Sequence, residues 1–139
     1  MTNTLLPVAA LATPNIPEAE AILQRSIKSK DEFVEAARDI AQCYNISCLL
    51  KGGHLPGDNE CLDVLWHNDQ AHHYRHPYLP LPSGVHGTGC TLSAAITAGL
   101  ANEQCMIDAV THAISYVQKL IHSAHTWEHN HHSIRCLGW

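Results

Sequence analysis

The stretch His86-Gly87-Thr88-Gly89-Cys90-Thr91-Leu92-Ser93-Ala94-Ala95 (HGTGCTLSAA, 86–95) decides the fold. Two glycines bracket a threonine, a cysteine follows, and the chain then turns apolar and alanine-rich. This predicts a helix to about Asn102 with Leu92, Ala95, Ile96, Gly99 and Leu100 on its apolar side. Gly87 and Gly89 let the backbone bend tightly and let a ligand approach closely. A helix starting there aims unpaired N–H groups and a positive dipole end at whatever lies in front, so an anion, most naturally a phosphate, belongs there. Cys90 falls in that first turn, where a thiolate is favoured. The same spacing also suits a tight turn before a packing helix, with Cys90 as a small core residue.

Upstream lie two further candidates. In LLKGGH (49–54) the spacing places Lys51 at the end of an apolar strand closed by two glycines. A lysine at the carboxyl end of a strand in an open α/β sheet stands on the ligand-binding edge and could reach a nucleotide phosphate. The alternative is a solvated strand-end lysine. In TPNIPEAE (13–20), Asn15 can cap a helix with Glu18 three residues on as a capping box, and Pro17 in the first turn costs little. Asn15 and Glu18 also share a side, where they could orient a hydrated magnesium ion that takes one or two carboxylates plus waters and phosphates.

The remaining chain supplies a frame. Residues 5–12 read as a helical turn leading into a buried strand. SKDEFVEAARDIAQCY predicts a second helix, capped by a Ser29/Glu32 capping box, with Phe33, Ala36, Ala37, Ile40 and Ala41 as its stripe. CLDVLW and AHHYRHP read as two strands joined by HNDQ as a hairpin, followed by a Pro-rich connection over 77–85. A last helix spans about Gln104 to Ser123, with Met106, Ala109, Val110, Ala113, Ile114, Val117, Leu120 and Ile121 on its buried side. This order predicts an α/β layer with a partly parallel sheet, no internal repeat and no second domain.

Composition narrows the function. With 139 residues, 45% apolar and 15% charged, a globular domain with a real core is expected. The net charge of -5 and only eight unclustered Lys and Arg argue against a nucleic-acid partner. No apolar run reaches membrane-span length, and the N-terminus lacks a basic start, so neither a membrane segment nor a signal peptide is expected. Six cysteines without a CxxC pair read mostly as reduced core residues of a cytosolic protein. Of twelve histidines, five (His122, His125, His129, His131, His132) crowd the C-terminus. The HxxxHxHH spacing could bind zinc or nickel, but a loosely ordered tail over 125–139 is the favoured reading.

TPNIPEAE, LLKGGHL, a DVLW strand and HGTGCTLSAAITAGLA, in that order, resemble the C-terminal half of hydroxymethylpyrimidine/phosphomethylpyrimidine kinase, a thiamin-pathway enzyme of the ribokinase-like family. The match covers about Leu5 to Ile121. Cys90 stands where most ribokinase-like enzymes carry an Asp, and the pyrimidine kinases are similar to this chain in having Cys there. The resemblance implies a ribokinase-like three-layer α/β/α fold, with residues 1–124 as the C-terminal part of the kinase domain. It implies ATP-dependent phosphorylation of hydroxymethylpyrimidine and of its monophosphate, with ATP and Mg2+ as cofactors. It implies that Gly87, Thr88, Gly89 and Cys90 form an anion hole around the transferred phosphate, with Thr88 also touching the nucleotide and Cys90 in the place of the general base. Lys51 would approach the ATP phosphates, and Asn15 and Glu18 would organise magnesium and phosphate. Such kinases are about twice as long, so the expectation is a missing N-terminal half that carries most of the pyrimidine pocket, or a homo-oligomer that completes the site. A truncated, inactive paralogue that binds nucleotide or a partner and a pyridoxal kinase are the alternatives.

Overall fold

The computed structural model describes residues 4–54, 60–77, 87–129 and 132–138. The chain divides into two compact units, Met1–Tyr78 and Leu79–Trp139, where the sequence predicts one domain with a tail. The boundary falls in the Pro-rich connection, most of which lies outside the described residues.

The first unit holds β1 (Leu11–Ala12), α1 (Ile16–Leu23), α2 (Asp31–Tyr44), β2 (Ser47–His54), β3 (Glu60–His67) and β4 (Gln70–Pro77). The sheet order is β1-β2-β3-β4. β1 runs parallel to β2, and the other neighbours are antiparallel, so the expected partly parallel sheet forms. A 3-10 turn at Leu6–Val8 leads into β1, as the proline in LLPV suggests.

Each helix follows from its sequence, with one correction. α1 starts at the Asn15 capping box, with Glu18 as the reciprocal partner. α2 buries Phe33, Ala36, Ala37, Ile40 and Ala41, the whole of the predicted stripe. The Ser29/Glu32 capping box does not form. Lys30 occupies the N-cap and its side chain does not cap the helix, so Glu32 is the second helical residue rather than the third. Glu32 Oε2 instead accepts from the Lys28 N–H at 2.9 Å. The α2 stripe packs with Cys48, Leu50, Leu62 and Val64 of the sheet in one buried cluster. The β3–β4 hairpin closes through Asn68 and Asp69, both at positive φ (49° and 58°), and His67 pairs with Gln70. That is the geometry of a two-residue type I′ turn, which Asn and Asp tolerate.

β2 departs from its prediction. It does not stop at the glycines but runs through Gly52 and Gly53 to His54, with a register shift between Lys51 and His54. Lys51 is therefore inside the strand, not at its end. Gly52 is buried, and a Cβ there would collide with the Leu62 carbonyl and the Phe33 ring.

The second unit holds α3 (Thr88–Ala101), α4 (Met106–His122), β5 (His125–His129) and β6 (His132–Cys136). α4 buries Ala109, Val110, Ala113, Val117 and Leu120 of its predicted stripe, and α3 buries Leu92 and Ile96. After Ile121 the sequence shows no period, yet β5 and β6 form an antiparallel hairpin. The Gly138 N–H donates to the Leu120 carbonyl at 3.2 Å, which ties the segment back to α4.

The contact at Gly52 makes a direct stability test. Gly52→Ala is expected to lower unfolding free energy by about 3 kcal/mol in urea denaturation, because the methyl meets backbone rather than a movable side chain. A loss under about 0.5 kcal/mol would contradict the packing described here.

Candidate functional site

The carboxyl end of β1 is where the first unit gathers its candidate residues. Past Ala12 the chain continues beside β2: the Lys51 N–H donates to the Pro14 carbonyl at 2.8 Å, and Asn15 and Lys51 form a parallel bridge. The chain then turns into α1. Asn15 Oδ1 accepts from the Glu18 N–H at 2.9 Å, and the Asn15 N–H donates to Glu18 Oε2 at 2.8 Å. The structure thus brings Asn15, Glu18 and Lys51 together, although they are spread over 37 positions of sequence. Glu18 is exposed, and Asn15 and Lys51 are half-buried. A cavity of about 400 Å3 opens beside Glu18, walled by Leu6, Ala12, Pro14, Ala21 and Ile22.

Sequence reasoning missed Asp63. It is buried in β3, with Oδ1 accepting from the Gly52 N–H at 3.0 Å. His76 Nε2 on β4 donates to Oδ2 at 3.2 Å. The available signal was the acid itself, set inside the apolar run CLDVLW. A carboxylate within a buried strand needs partners.

In the second unit, Gly87, Thr88, Gly89 and Cys90 form the start of α3. Gly87 is the N-cap at φ 88°, in the left-handed region that favours glycine, and it is exposed. No side chain caps this helix. The Thr91 N–H reaches the Gly87 carbonyl at 2.9 Å, so the first-turn N–H groups before it have no intrahelical carbonyl. Thr88 and Gly89 are half-buried, and Cys90 is exposed. A 14-residue helix with open first-turn donors and a glycine at its mouth can receive an anion.

The cysteines correct one expectation. Only Cys48 and Cys61 are buried, while Cys43, Cys90 and Cys105 are exposed. Cys43 lies off the buried stripe of α2, and Cys90 and Cys105 sit at helix starts. Burial pushes the Cys48 thiol up to about 12. Burial also raises Cys61, the Asp63 carboxylate raises it further, and Lys30 partly offsets both. Among the described residues, no group of three or more His, Cys, Asp or Glu could hold a metal ion. His131 of the HxxxHxHH pattern lies outside the described residues. No helix among the described residues is long and apolar enough to cross a membrane.

Comparison with solved structures identifies the fold as ribokinase-like. The chain is similar to a Staphylococcus aureus pyridoxal kinase solved with AMP-PCP and pyridoxal (TM-score 0.87, 27% identity, 99% of this chain and 50% of that one). It is also similar to a phosphomethylpyrimidine kinase from Clostridium difficile 630 (TM-score 0.70, 33% identity, 86% of this chain and 46% of that one). The chain belongs to the phosphomethylpyrimidine kinase family, whose model matches residues 1–135. A Bacillus subtilis hydroxymethylpyrimidine/phosphomethylpyrimidine kinase is 34% identical over 117 residues, covering 84% of this chain and 43% of the relative. The chain therefore spans about half the length of the relatives it matches.

The thiols give a simple check of this geometry. At about pH 8 a disulfide reagent is expected to modify Cys43, Cys90 and Cys105 quickly in the native chain, and Cys48 only after denaturation. The folded state holds Cys48 neutral, so this contribution to stability is complete below the ordinary thiol value of 9.0 and is lost as pH rises toward about 12. Peptide mapping that finds Cys48 among the fast thiols would contradict its burial.

Proposed function

We propose that this chain carries the phosphate-handling part of an ATP-dependent kinase for hydroxymethylpyrimidine and its monophosphate. The observation that carries the reading is the open, glycine-led start of α3, with Cys90 exposed in the turn that would receive the transferred phosphate. Family membership and the nucleotide analogue in the S. aureus kinase support it.

In this reading the acceptor hydroxyl oxygen attacks the terminal phosphorus of ATP. The bond from that phosphorus to the ADP oxygen breaks, and the hydroxyl proton passes to Cys90 as general base. The N–H groups of Thr88, Gly89 and Cys90 hold the charge that spreads over the transferred oxygens, where fixed donors act most strongly. The Lys51 ammonium draws the nucleotide phosphates toward the strand edge. Thr88 adds a hydroxyl at the start of α3 for the nucleotide.

The donor set at Asn15 and Glu18 fits magnesium rather than a soft metal. Both offer oxygen only, and one Glu18 oxygen and the Asn15 amide oxygen already accept backbone N–H groups. Such a site cannot enclose a cation but suits one that keeps most of its waters and binds through phosphates. Asn15 and Glu18 would hold the ion, which supplies charge neutralisation on the phosphates when bound.

A second reading, pyridoxal as acceptor, is favoured by the high structural likeness to the S. aureus enzyme. The acceptor preference separates the two. With ATP, magnesium and an acceptor-binding half supplied alongside this chain, turnover is expected with hydroxymethylpyrimidine over pyridoxal. Cys90→Ala is expected to lower kcat by about a hundredfold, and Lys51→Ala to weaken ATP binding by about tenfold. A folded chain that binds no ATP, or Cys90→Ala turnover equal to the unsubstituted chain, would overturn the proposal.

A further inference from the structure

The buried carboxylate of Asp63 takes no part in the reaction just described, yet it stands where the sheet ladder breaks. β2 and β3 pair from Cys48 opposite Trp66 to Lys51 opposite Asp63. The register then shifts, and pairing resumes at His54 opposite Cys61. An interruption of this kind leaves a backbone donor without its ladder partner. The Gly52 N–H finds one in Asp63 Oδ1, at 3.0 Å and fully inside the protein. His76, arriving on β4, donates from Nε2 to the other oxygen at 3.2 Å. Asp63 is only 7% exposed, so water has little access to the carboxylate. Charge-assisted bonds of this kind are among the stronger ones a protein makes.

On the opposite side, the Lys51 N–H is held by the Pro14 carbonyl at 2.8 Å. The peptide groups before and after the Lys51 Cα are therefore both anchored, one by the run from β1 into α1 and the other by Asp63. Two glycines follow Lys51, the most permissive backbone available, so a lysine placed there needs such an anchor. Its four-carbon stem brings freedom of its own, and holding the Cα limits where the ammonium can go.

We infer that Asp63, oriented by His76, is a positioning residue that fixes the Lys51 backbone so that the ammonium meets the nucleotide phosphates. This rests on the reading of Lys51 given under the proposed function, and a double-mutant cycle tests the two separately. The measurement is the Kd of ATP in the presence of magnesium, by calorimetry, for the unsubstituted chain, Lys51→Ala, Asp63→Ala, Asp63→Asn and the Lys51→Ala/Asp63→Ala pair. Asp63→Ala is expected to raise the Kd about tenfold, and the pair to bind no more weakly than Lys51→Ala alone. Asp63→Asn keeps an acceptor oxygen for the Gly52 N–H and is expected to stay within about threefold of the unsubstituted chain.

A merely structural Asp63 would lower the urea midpoint of Asp63→Ala and leave the Kd of the folded protein unchanged. That result, beside a weakened Lys51→Ala, overturns the inference alone. An unchanged Kd in Lys51→Ala overturns the reading of Lys51 and the inference with it. If Asp63→Ala does not fold, His76→Phe removes the donor on the second carboxylate oxygen and is expected to raise the Kd about threefold. No change there overturns the inference as well.

Discussion

The hydrogen bond from the Lys51 N–H to the Pro14 carbonyl, 2.8 Å long, is the link on which the candidate site depends. β1 itself is two residues, too short to define a ligand edge alone. The bond extends its parallel pairing past the strand, and the Asn15–Lys51 bridge follows. Asn15 then caps α1, so one backbone contact sets the start of a helix beside a strand that carries a lysine. The amide of Asn15 and the carboxylate of Glu18 are committed to each other's backbone N–H groups, which fixes their orientation before any ligand arrives. Side chains ordered in this way lose little freedom on taking a ligand.

The second unit solves a different problem. An anion needs donors that nothing else uses, and a helix start offers them only if no side chain caps it. Gly87, with its positive φ and no side chain, leaves the mouth of α3 open, whereas α1 closes its own start with Asn15. The same structural position, a helix N-terminus, is sealed in one place and left available in another. The difference is one residue type: an amide side chain at the cap against none.

Features that depend on near neighbours in the chain were readable in the sequence. The Asn15 capping box, the α2 stripe, the Asn68-Asp69 turn and the two late helices all follow from spacings of two to four residues. The Ser29/Glu32 box failed on the same scale, because a one-residue shift of the α2 start moves Glu32 off the reciprocal position. Long-range pairing was not readable. That β2 would run through Gly52 and Gly53 depends on β3 offering Cys61 to His54, and Asp63 gains its partners only once Gly52 and His76 are aligned by that ladder. The C-terminal hairpin hides for a related reason. Its strands, HTWEH and HSIRC, are short and mostly polar, so the backbone pairing is what reveals them. The candidate residues Asn15, Glu18, Lys51 and Gly87 to Cys90 were named from the sequence alone, and the convergence of the first three on one strand edge required the fold.

The central claim has one part for each unit: Lys51 in the first meets nucleotide phosphate, and the open start of α3 in the second takes an anion of the same kind. Titration of the labelled chain with AMP-PCP and magnesium, followed by amide NMR, tests it most directly. The account predicts that the largest shifts fall on Asn15, Lys51, Gly52 and on Gly87 to Cys90. The other end of the sheet has a cavity of about 360 Å3 among Ala10, Asn45, Ser47, Trp66 and Asp69, and its amides should stay still. Shifts concentrated in that cavity, with Lys51 and the α3 start unmoved, would contradict the account.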